Sequence, residues 1–415
     1  MKQATQRPAL KKNLLSLAAA VLVSVVASCG GRLITEIDTP KPQETFLRLD
    51  ATSFDQLPGW KGDSLSQALA VFLRSCEKIK TLPPDRGLGP SSEMGRVSEW
   101  IKFCASAALI RPGNETEARY FFESRFTPYL ARNNKMPWAP KSRGLFTGYY
   151  EPELHGAWKP DTTYRYPIYA RPKDLMSINL GDFRDEFKGL QLAGQLKGNK
   201  FRPYPTRADI ESGVLKGQQL ELLWVDSAID AFFLHVQGSG RVMFEDGSMI
   251  RVGYAGRNGR RYTPIGRELV AKGIIPQKKV SLQSIRQWLA ANPIAGRQLM
   301  EKNKSYIFFR LIEGDGPIGA QGVALTAGRS LAVDRKYIPL GVPVWLNTSQ
   351  PGKSKNPLRR LVLAQDTGSA IQGPVRGDLF FGFGNDAGIG AGLMRENGTY
   401  YLLLPRKDSP LDRSP

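Results

Sequence analysis

Two aspartates twelve residues apart, Asp366 and Asp378, stand in the stretch of this 415-residue chain whose composition points most directly to chemistry. A short apolar run, Leu361-Val362-Leu363-Ala364, reads as a buried strand and delivers Gln365-Asp366-Thr367-Gly368-Ser369 to a loop. Gly377-Asp378 then precedes Leu379-Phe380-Phe381-Gly382-Phe383-Gly384, and eight glycines fall between Asp366 and Gly392, the last included. Glycine weakens a strand, so its repeated use points to backbone that turns tightly or approaches another group closely. If the aromatic residues beside Asp378 exclude water from its carboxyl, they disfavour the charged form and raise its pKa. A carboxylic acid that protonates a bridging oxygen near neutral pH needs that setting. Asp378 is therefore the candidate acid.

Other chemistries fit less well. Asp366-Thr367-Gly368-Ser369 matches the short motif of aspartic proteases, but those enzymes need two such aspartates sharing a proton. The chain holds no second Asp-Thr/Ser-Gly. Cys29 aside, two cysteines, Cys76 and Cys104, and two histidines, His155 and His235, are too few for a convincing zinc site. No metal or other cofactor is expected.

The elements that must hold this stretch change character along the chain. Ser64 stands where it would cap a helix that carries Leu65, Leu69, Phe72, Leu73 and Cys76 on one side. Further helices are predicted over about 92–109 and 115–130. From Gly144 the pattern turns to short strands. A hairpin is predicted over 231–254, with strands joined at Glu245-Asp246-Gly247-Ser248. In its first strand Phe232, Leu234 and Val236 would share one face, and His235 and Gln237 the other. Residues 282–300 look helical, and strands follow at 306–310, 343–346, 361–364 and 400–404, with Asn397-Gly398 as a turn between two of them. Forty-two glycines and 29 prolines suit such a loop-rich β architecture. The expectation is α+β, with β-barrels holding the site.

The first residues read as an export signal. Lys2, Arg7, Lys11 and Lys12 precede an apolar stretch, Leu14 to Val26, that is too short to span a bilayer as a stable helix. Val26-Ala27-Ser28-Cys29-Gly30 resembles a bacterial lipobox, in which Cys29 takes the lipid. Residues 1–28 would be removed and 29–60, with Pro40, Pro42 and Pro58, would serve as a tether. Removal of the signal leaves +16 of the +20 net charge, a surface suited to polyanions. An exported lipoprotein rarely meets nucleic acid, so cell-wall carboxylates and lipid phosphates are the better partners. In an oxidising compartment Cys76 and Cys104 form either a disulfide or a pair of buried thiols.

One family accounts for the order and spacing of many short segments. These are Thr147-Gly148-Tyr149-Tyr150-Glu151-Pro152, Tyr166-Pro167-Ile168-Tyr169, Ala231 to Gly240, Arg251-Val252-Gly253-Tyr254-Ala255-Gly256, Ser305 to Phe309, Leu325 to Ser330, Pro339-Leu340-Gly341, and Asp366 through Asp378. Together they resemble the membrane-bound lytic murein transglycosylase A family over about residues 140–405. Ser369 and Gln372 depart from the family's expected Gly and Lys. The resemblance implies a double-psi β-barrel domain (61–151 and 306–407) with a second barrel (152–305) inserted, and a substrate groove between them.

The resemblance also implies that Asp378 is acid and base, with Asp366 supporting it or the groove. The implied reaction is cleavage between N-acetylmuramic acid and N-acetylglucosamine in peptidoglycan, leaving 1,6-anhydro ends. Thr147, Tyr149, Tyr150 and Tyr254 are substrate-binding candidates, the tyrosines by stacking on sugar faces. Gln237 and Ser239 would hydrogen-bond acetamido groups, and Arg329 would meet either substrate or a backbone carbonyl. Glycan strands, outer-membrane lipid through Cys29 and other cell-wall enzymes are the implied partners, at the periplasmic face of a Gram-negative outer membrane. A non-catalytic wall-binding lipoprotein fits charge and lipidation equally well, but the intact aspartates do not favour it.

Overall fold

The computed structural model describes residues 46–187, 190–314, 316–352, 354–368 and 370–407. The signal stretch, Cys29 and Ser369 lie outside them. The tether expected to reach residue 60 does not: from Phe46 onward the chain is folded, and Leu57 and Trp60 are buried.

Strand β1 (Leu47–Ala51) leads into helices α1 (Leu65–Ile79), α2 (Val97–Ala108) and α3 (Glu115–Arg125). The apolar side of α1 buries Leu65, Leu69, Phe72 and Cys76, as its periodicity requires. Its N-terminus is satisfied from a distance. The Glu115 carboxylate accepts from the N–H groups of Leu65 and Ser66, both at 2.9 Å, and the Ser64 side chain makes no cap. Cys76 and Cys104 are joined as a disulfide that ties α1 to α2. The third predicted helix stops at Arg125, because Pro128 cannot continue it, and Phe126–Asn133 forms β2 instead. After β3 (Gly144–Glu151) the chain leaves for a second sheet.

That excursion comprises β4 (Glu153–Ala157), β5 (Tyr166–Tyr169), a small sheet of β6 (Met176–Asn179), β7 (Gln191–Lys197) and β8 (Lys200–Arg202), then α4 (Arg207–Glu211) and β9 (Glu221–Val225). There follow α5 (Ala228–Gln237), β10 (Ser239–Met243), β11 (Met249–Arg257), α6 (Ile265–Ala271), α7 (Leu282–Ala291), α8 (Pro293–Glu301) and β12 (Ile307–Ile312). The strand order is β12-β11-β10-β4-β9-β5, and a bridge between Ala170 and Phe309 brings the two edges together.

Here the sequence reading fails at the predicted hairpin. The turn at 245–248 is present, but it joins β10 to β11, and Ala231–Gln237 is helix α5 rather than a strand. Ser227 caps that helix by accepting from the Asp230 N–H, and Gly238 ends it in the left-handed region at φ 83°. The run is apolar on all sides because it lies between two cores. Ala231 and Leu234 face the sheet, and Phe232 and Phe233 face α6 to α8. The face assignment made for a strand therefore does not hold. The predicted helix over 282–300 is likewise two helices, broken where Pro293 follows Asn292.

The last third supplies β13 (Ser330–Val333), β14 (Pro343–Ser349), β15 (Pro357–Asp366), β16 (Arg376–Phe383), α9 (Gly384–Leu393) and β17 (Arg395–Pro405). The order β17-β14-β15-β13-β16-β3 closes on itself, since β3 also pairs with β17. This is the closed barrel the resemblance implied, and β3 is its N-terminal contribution. Phe146, Leu331, Val362 and Leu402 belong to the buried core that the barrel shares with α1 to α3, and Trp345 packs against Trp60. Asn397-Gly398, expected as a turn, lies within β17. A Cβ on Gly398 would come within 2.6 Å of the Asn347 carbonyl, so the glycine marks close strand approach. The glycine-rich run after Asp378 is a helix, α9, whose Gly388 abuts the Tyr150 ring.

Candidate active site

The barrel's pairing brings the two aspartates together. On β16 Asp378 lies opposite Thr147 of β3 on one side and Ala332 of β13 on the other. Ala332 in turn pairs with Asp366 at the end of β15, just past a register shift. The two acids thus flank one strand, with backbones about 10 Å apart at two strand spacings.

Their surroundings differ. Thr147 Oγ1 donates to Asp378 Oδ1 at 2.5 Å and accepts from Arg376 Nη2 at 2.8 Å. Arg376 is spent mainly on oxygens beside the carboxyl, the carbonyls of Leu145 and Gly377. Burial pushes the Asp378 pKa up to about 6. The Arg376 charge and the Thr147 hydrogen bond oppose the rise, and the charge of Asp366 adds to it. Asp366 is engaged from three sides. Its Oδ1 accepts from the N–H groups of Ala320 (2.9 Å) and Thr367 (2.8 Å), and its Oδ2 accepts from the Tyr149 hydroxyl at 2.9 Å. Burial raises its pKa too, against the pull of those donors. The Tyr149 phenol is held well above its ordinary value by burial and by Asp366, so it stays a donor.

The other expected site residues divide. Thr147 and Tyr149 meet the two acids directly; the Tyr149 hydroxyl is used on Asp366 and its ring rests on Phe380, with centroids 5.2 Å apart. Tyr150, next on the strand, points to the opposite face and is buried against Ala387 and Ala391 of α9. Gln237 accepts from the Tyr150 N–H with its side-chain oxygen at 3.2 Å, and Ser239 begins the next strand. Tyr254 follows the Gly253–Ser239 pair on β11 and is 50% exposed. The Arg329 guanidinium is buried, ion-paired with Asp63 at 2.7 Å and donating to the carbonyls of Leu361 and Ser64. Of its two expected roles, it takes the backbone one.

Sequence reasoning missed three groups. Arg376, immediately before Gly377-Asp378, was adjacent to the motif but not read. Asp63 is far from Arg329 in the chain and carries no local signal. Glu151, inside the quoted Tyr-Tyr-Glu-Pro segment, is wholly buried where β3 leaves the barrel, and it pairs with Arg241 at 2.8 Å and Arg251 at 3.7 Å on the second sheet. The Arg241 guanidinium also covers the Phe383 ring, 3.3 Å from its centroid.

Residues 145–310 match the model of the MltA specific insert domain, and 329–404 match that of the 3D domain. A crystal structure of the membrane-bound lytic murein transglycosylase from Agrobacterium tumefaciens superposes with a TM-score of 0.75. It is 37% identical and covers 86% of this chain and 98% of its own. The chain belongs to the membrane-bound lytic murein transglycosylase A family. MltA of Neisseria gonorrhoeae, in its monoclinic crystal form, gives a TM-score of 0.72 at 32% identity, over 87% of this chain and 94% of that one. Membrane-bound lytic murein transglycosylase A of Vibrio cholerae is 34% identical over 266 residues, 62% of this chain; the match spans 65% of that protein's length. The two family domains divide at the acid-bearing barrel: the insert domain match begins within β3, and the 3D match contains Asp366 and Asp378.

Proposed function

We propose that this chain is a peptidoglycan lytic transglycosylase that works with one carboxylic acid, Asp378. The observation that carries the reading is the contrast between the two aspartates. Asp378 is half-buried, has its pKa pushed up to about 6, and among the described residues takes its one side-chain hydrogen bond from a hydroxyl. Asp366 has its oxygens occupied by two backbone N–H groups and a phenol, and is poorly placed to activate water. A hydrolase needs a second carboxylate that does so or that attacks the sugar.

In this reading the Asp378 acid gives its proton to the oxygen linking N-acetylmuramic acid to N-acetylglucosamine, and the C1–O bond breaks with its electron pair leaving on that oxygen. The carboxylate left behind then takes a proton from the muramoyl C6 hydroxyl as O6 closes on C1. Atoms balance without water, and the product is a 1,6-anhydro end. Holding the hydroxyl on the same ring makes closure intramolecular, which removes much of its entropic cost. Thr147, supported by Arg376, fixes the carboxyl so that Oδ2 faces the glycosidic oxygen. Asp366 and Tyr149 support the acid, and Tyr254, Gln237 and Ser239 serve the sugar on the side of the inserted barrel.

The same reading assigns residues 61–151 and 306–407 to the acid-bearing domain and 152–305 to the insert. It attaches lipid at Cys29, so that the enzyme works on glycan strands from the periplasmic face of the outer membrane. The test is Asp378→Asn on purified sacculi. Binding is expected to persist while fragment release falls at least about a thousandfold. Unchanged release would remove Asp378 as the acid.

A further inference from the structure

Between β2 and β3 the chain makes a loop that displays rather than buries its apolar groups. The Asn133 and Lys141 backbones pair in both directions, at 2.7 and 3.0 Å, and close the loop. Inside it the Ala139 N–H bonds the Met136 carbonyl at 2.9 Å, which makes a turn with Pro137 and Trp138 at its corners. Trp138 is therefore held out by an ordered backbone and is 82% exposed, with Met136 39% exposed beside it. Large apolar rings presented this way mark interaction surfaces, and tryptophan suits a boundary that is apolar on one side and wet on the other.

Along the loop's own sequence the charge has one sign. From Ala131 to Tyr150 the sequence holds Arg132, Lys135, Lys141 and Arg143 and no acidic residue. Arg132 is paired with Asp50, while Lys135, Lys141 and Arg143 are exposed. The loop also sits at the root of the N-terminal segment. Leu47 pairs with Asn133, and the Asn134 N–H bonds the Phe46 carbonyl at 2.7 Å. Cys29 is seventeen residues before Phe46 in sequence, a stretch of chain whose contour length is at most about 60 Å.

We propose that the 134–143 loop docks on an anionic phospholipid surface, with Trp138 and Met136 entering the interface and Lys135, Lys141 and Arg143 meeting phosphates. It would act as a second, non-covalent contact beside the anchor and would set how the barrel faces the wall. One acyl-type anchor plus a basic patch is a known physical route to stable attachment. The placement rests on the lipid attachment proposed at Cys29; the binding itself does not need the lipid.

The test uses the chain from residue 29 onward, carrying Cys29→Ser so that no lipid is attached. Cosedimentation is measured with phosphatidylcholine vesicles, with vesicles containing a quarter phosphatidylglycerol, and with sacculi, at low and high salt. Of the two vesicle preparations only the anionic one is expected to bind, weakened by salt, while sacculi are expected to retain wild type and variants alike. Lys135→Gln and Lys141→Gln are each expected to lower partition about fivefold, and Trp138→Ala about tenfold. Equal partition of wild type and all three variants overturns the proposal, as does absence of vesicle binding. Loss of sacculus retention in Trp138→Ala without vesicle binding also overturns it and assigns the loop to glycan. Sacculus turnover, read in the same samples, is expected to be unchanged in the variants. A wild type without turnover breaks the transglycosylase reading and leaves the vesicle result standing.

Discussion

Asp378, held by Thr147 of β3, and Glu151, four residues further along that strand, are two acidic side chains with opposite surroundings. Beside Thr147 the carboxyl of Asp378 is left with one hydroxyl and an arginine that touches it only through neighbouring oxygens. Where β3 leaves the barrel, Glu151 has no exposed surface, and two arginines of the second sheet converge on it. In the proposed reading the group that gives up and recovers a proton is under-supplied with charge partners, and the group that joins the two sheets is surrounded by them. Burial alone does not distinguish catalysis from structure; the partners do.

The contrast can be broken at either end. Glu151→Gln leaves Arg241 and Arg251 buried beside a neutral group, and is expected to cost about 3–5 kcal/mol in urea unfolding. A loss under about 1 kcal/mol would mean the cluster is not a structural joint. Thr147→Val removes the hydrogen bond that favours the Asp378 carboxylate. A kcat about ten- to a hundredfold lower is expected, and the alkaline limb of the pH–rate profile, where the acid loses its proton, should move to higher pH. A rise in KM with the limb unmoved would return Thr147 to the substrate-binding role expected from sequence.

The smallest effect concerns stability. The folded Asp378 pKa of about 6 lies above the unfolded value of about 3.9, so the folded state holds the proton more tightly between them. Stability contributed by the protonated group is therefore lost as pH rises through about 6. Asp378→Asn is expected to be neutral at pH 4 and stabilising by about 1–2 kcal/mol at pH 7.5, allowing for partial exposure. Equal effects at both pH values would mean that the acid is not perturbed.

Helices α1 and α2 were legible because their apolar spacing is local, and the barrel strands at 343–346, 361–364 and 400–404 were legible as apolar runs, although each proved longer. Helix α5 was not. Phe232-Phe233-Leu234 has the apolar continuity of a buried strand, and only Ser227 and Gly238 at its ends spoke for a helix. Pairing the short apolar runs into one closed barrel joins residues more than two hundred positions apart, as in Thr147 with Asp378, which no local pattern specifies. The candidate acid was legible because its type and glycine-rich setting are unusual. Its partners Thr147 and Arg376 gained meaning only when β3 lay against β16. Glu115 as the remote cap of α1 and Asp63 as the anchor of Arg329 belong to the same class of contact.

The claim that one acid works without water is tested most directly by digesting sacculi in water enriched in oxygen-18 and weighing the released fragments. Closure by the sugar's own hydroxyl is expected to give anhydromuramic ends that carry no label. Reducing muramic acid bearing oxygen-18 at C1 would show that a water molecule attacks, and would contradict it.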